Sequence, residues 1–219
     1  MPRRDPRIQP GSVVSARELV SVTGDRVLLP DPESAVHLQF RRFAGCPLCN
    51  LHLQSVLRRY DEIRACGIRE VVIFHSPAVE LRNHVAHLPV PVVADPSQEL
   101  YAEFGVGSAP RALLTPAVWP TILRAVPRSS ALILGGRELP PRFPPAGGRL
   151  GLPADFLITV DGLVAAVKYG QHAYDQWSVD DLLGYAGHLL NAPPPNPNAA
   201  AAEPGRSVSS GTRDGDERG

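Results

Sequence analysis

A chain of 219 residues with 22 basic and 22 acidic side chains carries no net charge, so no global field draws it to nucleic acid or to an anionic membrane; only a local patch could. No run approaches the roughly 18 apolar residues of a membrane-spanning helix, and the charged Met1–Arg7 start lacks the apolar stretch of a signal peptide. Three cysteines, Cys46, Cys49 and Cys66, do not make a secreted disulfide framework, which places the protein in a reducing, cytoplasmic compartment.

Residues 1–17 are Pro- and Arg-rich and read as a flexible arm. Short β-like patterns over 18–29, turned at Thr23-Gly24-Asp25 and stopped by Pro30-Asp31-Pro32, predict a lead-in hairpin. Val36, Leu38 and Phe40 alternate with His37 and Gln39, as in a strand with one face inward. An amphipathic helix follows from Cys46 through Tyr60, with Leu53, Val56, Leu57 and Ile63 on one face, and Gly67 ends it. The run Val71 to Phe74 reads as a central parallel strand, completing a β-α-β unit. Ser76-Pro77 starts a helix through Leu88, on which His84 and His87 read as a polar face. A strand over 90–94 and a helix after Asp95-Pro96-Ser97 continue the alternation. Residues 107–150 are irregular, with an apolar segment at Trp119 to Leu123 between proline-bearing breaks. They read as an insertion that shields the site or meets a partner. The pair Asp161-Gly162 turns one strand, headed by Leu152-Pro153, into another over 163–169. Ser178 caps a last helix that packs through Leu182 and Ala186, and residues 191–219 read as a disordered tail, leaving one domain over 18–190.

The chemistry centres on Cys46-Pro47-Leu48-Cys49. Two intervening residues put the thiols one helical turn apart, within reach of a disulfide. Pro47 suits the first helical position, so both sulfurs lie near free backbone N–H groups. Those donors and the helix dipole favour thiolate and can bring a cysteine pKa from about 8.5 into the range of roughly 3.5 to 7.5. A purely structural clip would close too small a loop to stabilise much. A zinc site using Cys46, Cys49 and His52 lacks its fourth ligand in the sequence pattern, so no metal and no cofactor are expected. Cys66 reads as core.

The order strand, CxxC, helix, strand, helix, insertion, proline-headed hairpin and capped helix resembles the thioredoxin fold. The dithiol motif Gly45 to Cys49, the Leu152-Pro153 hairpin and the final helix carry the likeness. Within that superfamily the lead-in hairpin, the Phe40 to Cys49 segment and the long insertion look most like the peroxiredoxin-like branch of the alkyl hydroperoxide reductase/thiol-specific antioxidant family. The resemblance implies an α/β fold, a central mixed sheet flanked by helices, with the insertion before a cis-proline strand at Pro153. It also implies a thiol peroxidase or disulfide oxidoreductase acting on hydroperoxides or protein disulfides, recharged by a thioredoxin-type or low-molecular-weight thiol, with a homodimer permitted and neither nucleic acid nor membrane as partner. Cys46 and Cys49 would be catalytic, Leu152 and Pro153 would shape the substrate pocket, and Arg41, Arg42 or Arg111 would steady a thiolate or peroxide oxygen. Peroxiredoxins carry Pro and Thr or Ser seven and three residues before the attacking Cys. Counted from Cys49, this chain has Arg42 and Cys46 there. That comparison makes Cys49 the attacker, whereas the helix start favours Cys46. A different class, a redox-responsive or inert binding module, stays open, since fold alone does not establish activity.

Overall fold

The computed structural model describes residues 7–85, 87–136, 139–145 and 148–191. Expectations for residues 1–6 and for the tail from 192 lie outside them. The expected hairpin comes first, as antiparallel strands β1 (Arg17–Val20) and β2 (Arg26–Leu29). Strand β3 (Ala35–Arg41) leads into helices α1 (Pro47–Arg58) and α2 (Tyr60–Ala65), and β4 (Ile68–Phe74) returns parallel to β3. Then come α3 (Ala78–Val85), β5 (Val92–Ala94), α4 (Glu99–Glu103), α5 (Arg111–Leu114) and α6 (Trp119–Leu134). The antiparallel pair β6 (Ala154–Ile158) and β7 (Val164–Tyr169) and helix α7 (Val179–Asn191) close the chain order. The main sheet runs β5-β4-β3-β6-β7, with β3, β4 and β5 parallel and β6 antiparallel to β3. This is the mixed, helix-flanked α/β sheet of the thioredoxin-like class.

Its order makes β3 the central strand, and the strand is buried on both faces. On one side Val36, Leu38 and Phe40 join Phe104 and Phe156 in an aromatic-rich core. On the other, His37, Gln39 and Arg41 are equally buried, so the polar half of the alternation is not a solvated face. Because α1 starts where β3 ends, Cys46 stands at the C-terminal edge of the parallel strands, where open α/β sheets place their ligands.

Four expectations need correcting. The expected single helix is two, because Arg59 leaves the helical region (φ −119°, ψ 21°) and restarts the chain as α2. The described part of the expected flexible arm is tied down: Gly11 N–H donates to the Val164 carbonyl, Val14 N–H donates to the Gly162 carbonyl, and Val14 is buried. The region expected to be irregular contains the 16-residue α6. Pro120 fits its first turn, and Pro127 removes one N–H, from the bond to the Leu123 carbonyl, without ending the helix. Finally, the peptide before Pro153 is trans, the cis X-Pro bonds among the described residues being Leu29-Pro30 and Phe143-Pro144. Leu152 and Pro153 instead form a bonded lead into β6: Leu152 N–H donates to the Gly107 carbonyl, and the Pro153 carbonyl accepts from Gly170 N–H.

Candidate active site

The chain leaves β3 through Arg42, Phe43 and Ala44 and turns at Gly45, whose φ of 70° lies in the left-handed region that glycine tolerates best. A Cβ there would also meet His84 Cε1 at 2.8 Å and Pro141 Cα at 3.1 Å, so only glycine fits between α3 and the insertion. Ala44 N–H donates to Ser76 Oγ (2.9 Å), and His75 N–H to the Arg42 carbonyl (3.2 Å), which fixes this turn to the end of β4. Cys46 is the N-cap of α1, Pro47 takes the first helical position, and the Cys46 carbonyl accepts the first helical bond from Asn50 N–H (2.9 Å). Helical spacing then carries Cys49 to the same inward face as Leu48, Leu53 and Val56.

The two thiols are both free and both buried, yet their environments differ. Burial disfavours the Cys46 anion, but the Cys49 thiol donates to it, the Arg42 guanidinium faces it, and the N–H groups of Cys49 and Leu48 point toward it. Together they outweigh burial and bring Cys46 down to about 6. Arg42 Nη1 stands 3.7 Å from Cys46 Sγ. A second Arg42 nitrogen donates to the Arg149 carbonyl, so the guanidinium is held between the thiol and the insertion. Cys49 goes the other way: burial and the negative charge on Cys46 push its pKa well up. One thiolate and one thiol therefore share the helix start at neutral pH.

Beside Cys46 opens a cavity of about 580 Å³, a volume in the range of small-molecule sites. Cys46, Pro47 and Arg42 form its floor, while Leu113, Trp119, Ile122, Val126 and Phe143 of the insertion supply its apolar walls. Cys49 does not line it. The insertion thus covers the dithiol, with α6 packed along α1.

The other residues singled out from the sequence separate. Arg111 and Leu152 line a different cavity, with Tyr101 and Arg7, and neither they nor Pro153 line the one at Cys46. His52 turns away from the cysteines: its Nε2 donates to the Trp177 carbonyl (2.9 Å) and its Nδ1 faces Arg41 Nη2 (3.4 Å). Among the described residues no three His, Cys, Asp or Glu side chains are placed to hold a metal. Cys66 is the half-buried C-cap of α2, packed against the core.

Arg41 belongs to a buried charge network that the sequence reading missed. It meets Asp155 Oδ1 on β6 (2.9 Å) and donates to Gln39, which in turn donates to Glu70 on β4. His37 bridges the two carboxylates, Nδ1 at 2.9 Å from Glu70 and Nε2 at 3.4 Å from Asp155. Burial opposes the His37 charge, but Glu70 and Asp155 win and raise it to about 9. Burial and the Arg41 charge lower His52 to about 3, so it is neutral. Asp155 resists its burial because Arg41 and His37 hold its pKa below the usual carboxylate range. The available signal was the pattern His37, Gln39, Arg41 along one face of a strand destined for the sheet centre.

Comparison with solved structures agrees with this geometry. A peroxidoxin, BcpB, from Mycobacterium tuberculosis superposes with a TM-score of 0.60 at 18% identity, covering 84% of this chain and 99% of that one. A cysteine-to-serine mutant of the peroxiredoxin 6 of Arenicola marina gives 0.60 at 15% identity, covering 84% and 74%. A thiol peroxidase from Chromobacterium violaceum gives 0.55 at 12% identity, covering 84% and 90%. At such identities the likeness defines the fold, a thioredoxin-like one with a dithiol at the start of its first long helix. A sequence profile described as AhpC/TSA antioxidant enzyme matches residues 56–172, more than half of the chain, and the protein belongs to that family. The matched stretch begins after the dithiol and includes the whole insertion. No curated protein matches the chain.

Proposed function

We propose that this protein is a dithiol peroxidase in which Cys46 attacks and Cys49 resolves. The observation that carries the assignment is the asymmetry at the helix start: the cavity reaches Cys46 and not Cys49, and Arg42 faces the Cys46 sulfur. The Cys46 thiolate attacks the terminal oxygen of a hydroperoxide ROOH; the S–O bond forms, the O–O bond breaks, and RO⁻ leaves to be protonated as ROH. Arg42 favours the thiolate beforehand and the departing negative charge during the step. The resulting sulfenic acid is attacked by Cys49, the S–S bond forms, the S–O bond breaks, and water leaves. A thioredoxin-type dithiol or a low-molecular-weight thiol in the cytoplasm then reduces the Cys46–Cys49 disulfide by exchange. Arg42 in this reading takes the part that the sequence alone divided among three arginines.

The test is rapid oxidation of reduced protein by hydrogen peroxide and by an organic hydroperoxide, followed by mass-spectrometric mapping. Wild type should yield a Cys46–Cys49 bridge, and Cys49→Ser should accumulate a sulfenic acid at Cys46 that dimedone captures. Dimedone capture at Cys49 in Cys46→Ser, with peroxide reactivity kept, would reverse the two roles. Exchange only with an oxidised dithiol protein, and none with peroxide, would make the protein a disulfide reductase.

A further inference from the structure

Helix α6 has a wider apolar face than its packing uses. Ala125 and Ser129 are buried toward α1, as expected for the inward stripe of a surface helix. Yet Trp119, Leu123, Val126 and Leu134, related by helical spacing, form a second stripe turned to solvent, with Leu123 69% and Leu134 89% exposed. Leu114 (71%) and Phe143 (77%) extend it across the neighbouring turns, so exposed large apolar side chains border the mouth of the Cys46 cavity. A contiguous patch of this kind marks an interaction surface.

Its charge indicates the partner. Between Glu103 and Asp155 the sequence carries six arginines and one acidic residue, Glu138, although the protein as a whole is neutral. Arg124 and Arg128 are exposed on α6 itself. Arg149 is exposed over the Phe143 ring (4.0 Å), and Arg142 is paired with Glu80 (2.9 Å). A two-fold contact between copies of this patch would set like charges against one another. Trp and Leu on one side of a helix with Arg beside them is the composition of an element that lies in a lipid interface, its apolar face among the acyl chains and its cations at anionic headgroups. We propose that the insertion docks the protein on an anionic bilayer surface through Leu114, Trp119, Leu123, Leu134 and Phe143, with the mouth of the cavity turned toward the lipid. Docking does not depend on which oxidant the dithiol reduces.

The full chain is mixed with vesicles of phosphatidylglycerol and, separately, of phosphatidylcholine alone, and co-sedimentation and tryptophan emission are followed. Phosphatidylglycerol vesicles should carry the protein down and shift the emission of exposed Trp119 to the blue, Trp177 being already buried. Phosphatidylcholine should do neither, and added salt should weaken the effect. The double variant Leu123→Glu/Leu134→Glu, whose positions do not line the cavity, should fold by circular dichroism and lose about tenfold or more in vesicle affinity. Arg124→Glu/Arg128→Glu should lose comparably. Absence of binding to phosphatidylglycerol, or binding indifferent to the leucine pair, overturns the proposal. So does self-association that the leucine variant abolishes without any vesicle binding, which assigns the patch to a second copy. Capture by polyaspartate that persists in the leucine variant, again without vesicle binding, assigns it to an acidic protein.

Discussion

Arg41 and Arg42 are neighbours in sequence and opposites in use. Alternation at the end of β3 sends Arg41 into the network under the sheet and Arg42 toward Cys46, and only the fold distinguishes them. The CxxC, the helix start and Pro47 were legible from residue types alone. The choice of thiolate partner was not, because it depends on a pleat direction at a strand end and on a carbonyl of the insertion, Arg149, far along the chain. The Cys46 pKa near 6 has a direct consequence. Its alkylation rate, mapped by mass spectrometry, should rise as pH passes through about 6 and level off above neutrality, while Cys49 stays unreactive. Arg42→Met should move that midpoint up, toward the ordinary thiol value of about 8.5. An unchanged midpoint in the variant would remove Arg42 from the account of Cys46 reactivity.

Elements show a similar division between what pattern reveals and what packing decides. The β-α-β unit, the Asp161-Gly162 turn and the capped last helix follow from periodicity and turn chemistry, and the structure has them. Helix α6 was hidden because prolines at 120 and 127 look like breaks, although one occupies a position that needs no N–H and the other removes a single bond in a helix held by α1. The charged half of β3 was hidden for a different reason. His37, Gln39 and Arg41 look solvated until Glu70 and Asp155 are seen opposite them on β4 and β6, a pairing no local window contains. That network is strongly interdependent: removing one charge leaves the others buried without compensation. Asp155→Asn should therefore cost about 3–5 kcal/mol in chemical unfolding, as for other broken buried pairs. A loss below about 1 kcal/mol would mean that the remaining groups re-pair without it.

At the scale of the whole molecule the same side chains set a pH window. His37 titrates near 9 when folded and 6.5 when unfolded, so its stabilisation is complete below 6.5 and is lost as pH rises through 9. His52 is shifted oppositely, to about 3, so below 6.5 the unfolded chain takes up a proton that the folded one refuses, and stability falls with acid. Cys46, brought down to about 6, gains stability over the same alkaline span in which His37 loses it, so the His37 limb is exposed in Cys46→Ser. In that variant unfolding free energy should peak near pH 6.5 and decline on both sides, and adding His37→Asn should flatten the alkaline limb alone. A Cys46→Ser profile flat from pH 5 to about 9 would show that the two histidines do not govern stability. The register of the sheet gives the network one more role. His37 lies opposite Glu70 and Gln39 opposite Asp155. Sliding β3 by one residue would reverse its faces and drive His37 and Arg41 in among Phe104 and Phe156. During assembly the charges therefore act as a proofreader, rejecting each misaligned pairing of short strands whose hydrogen-bond ladders alone could not tell right from wrong.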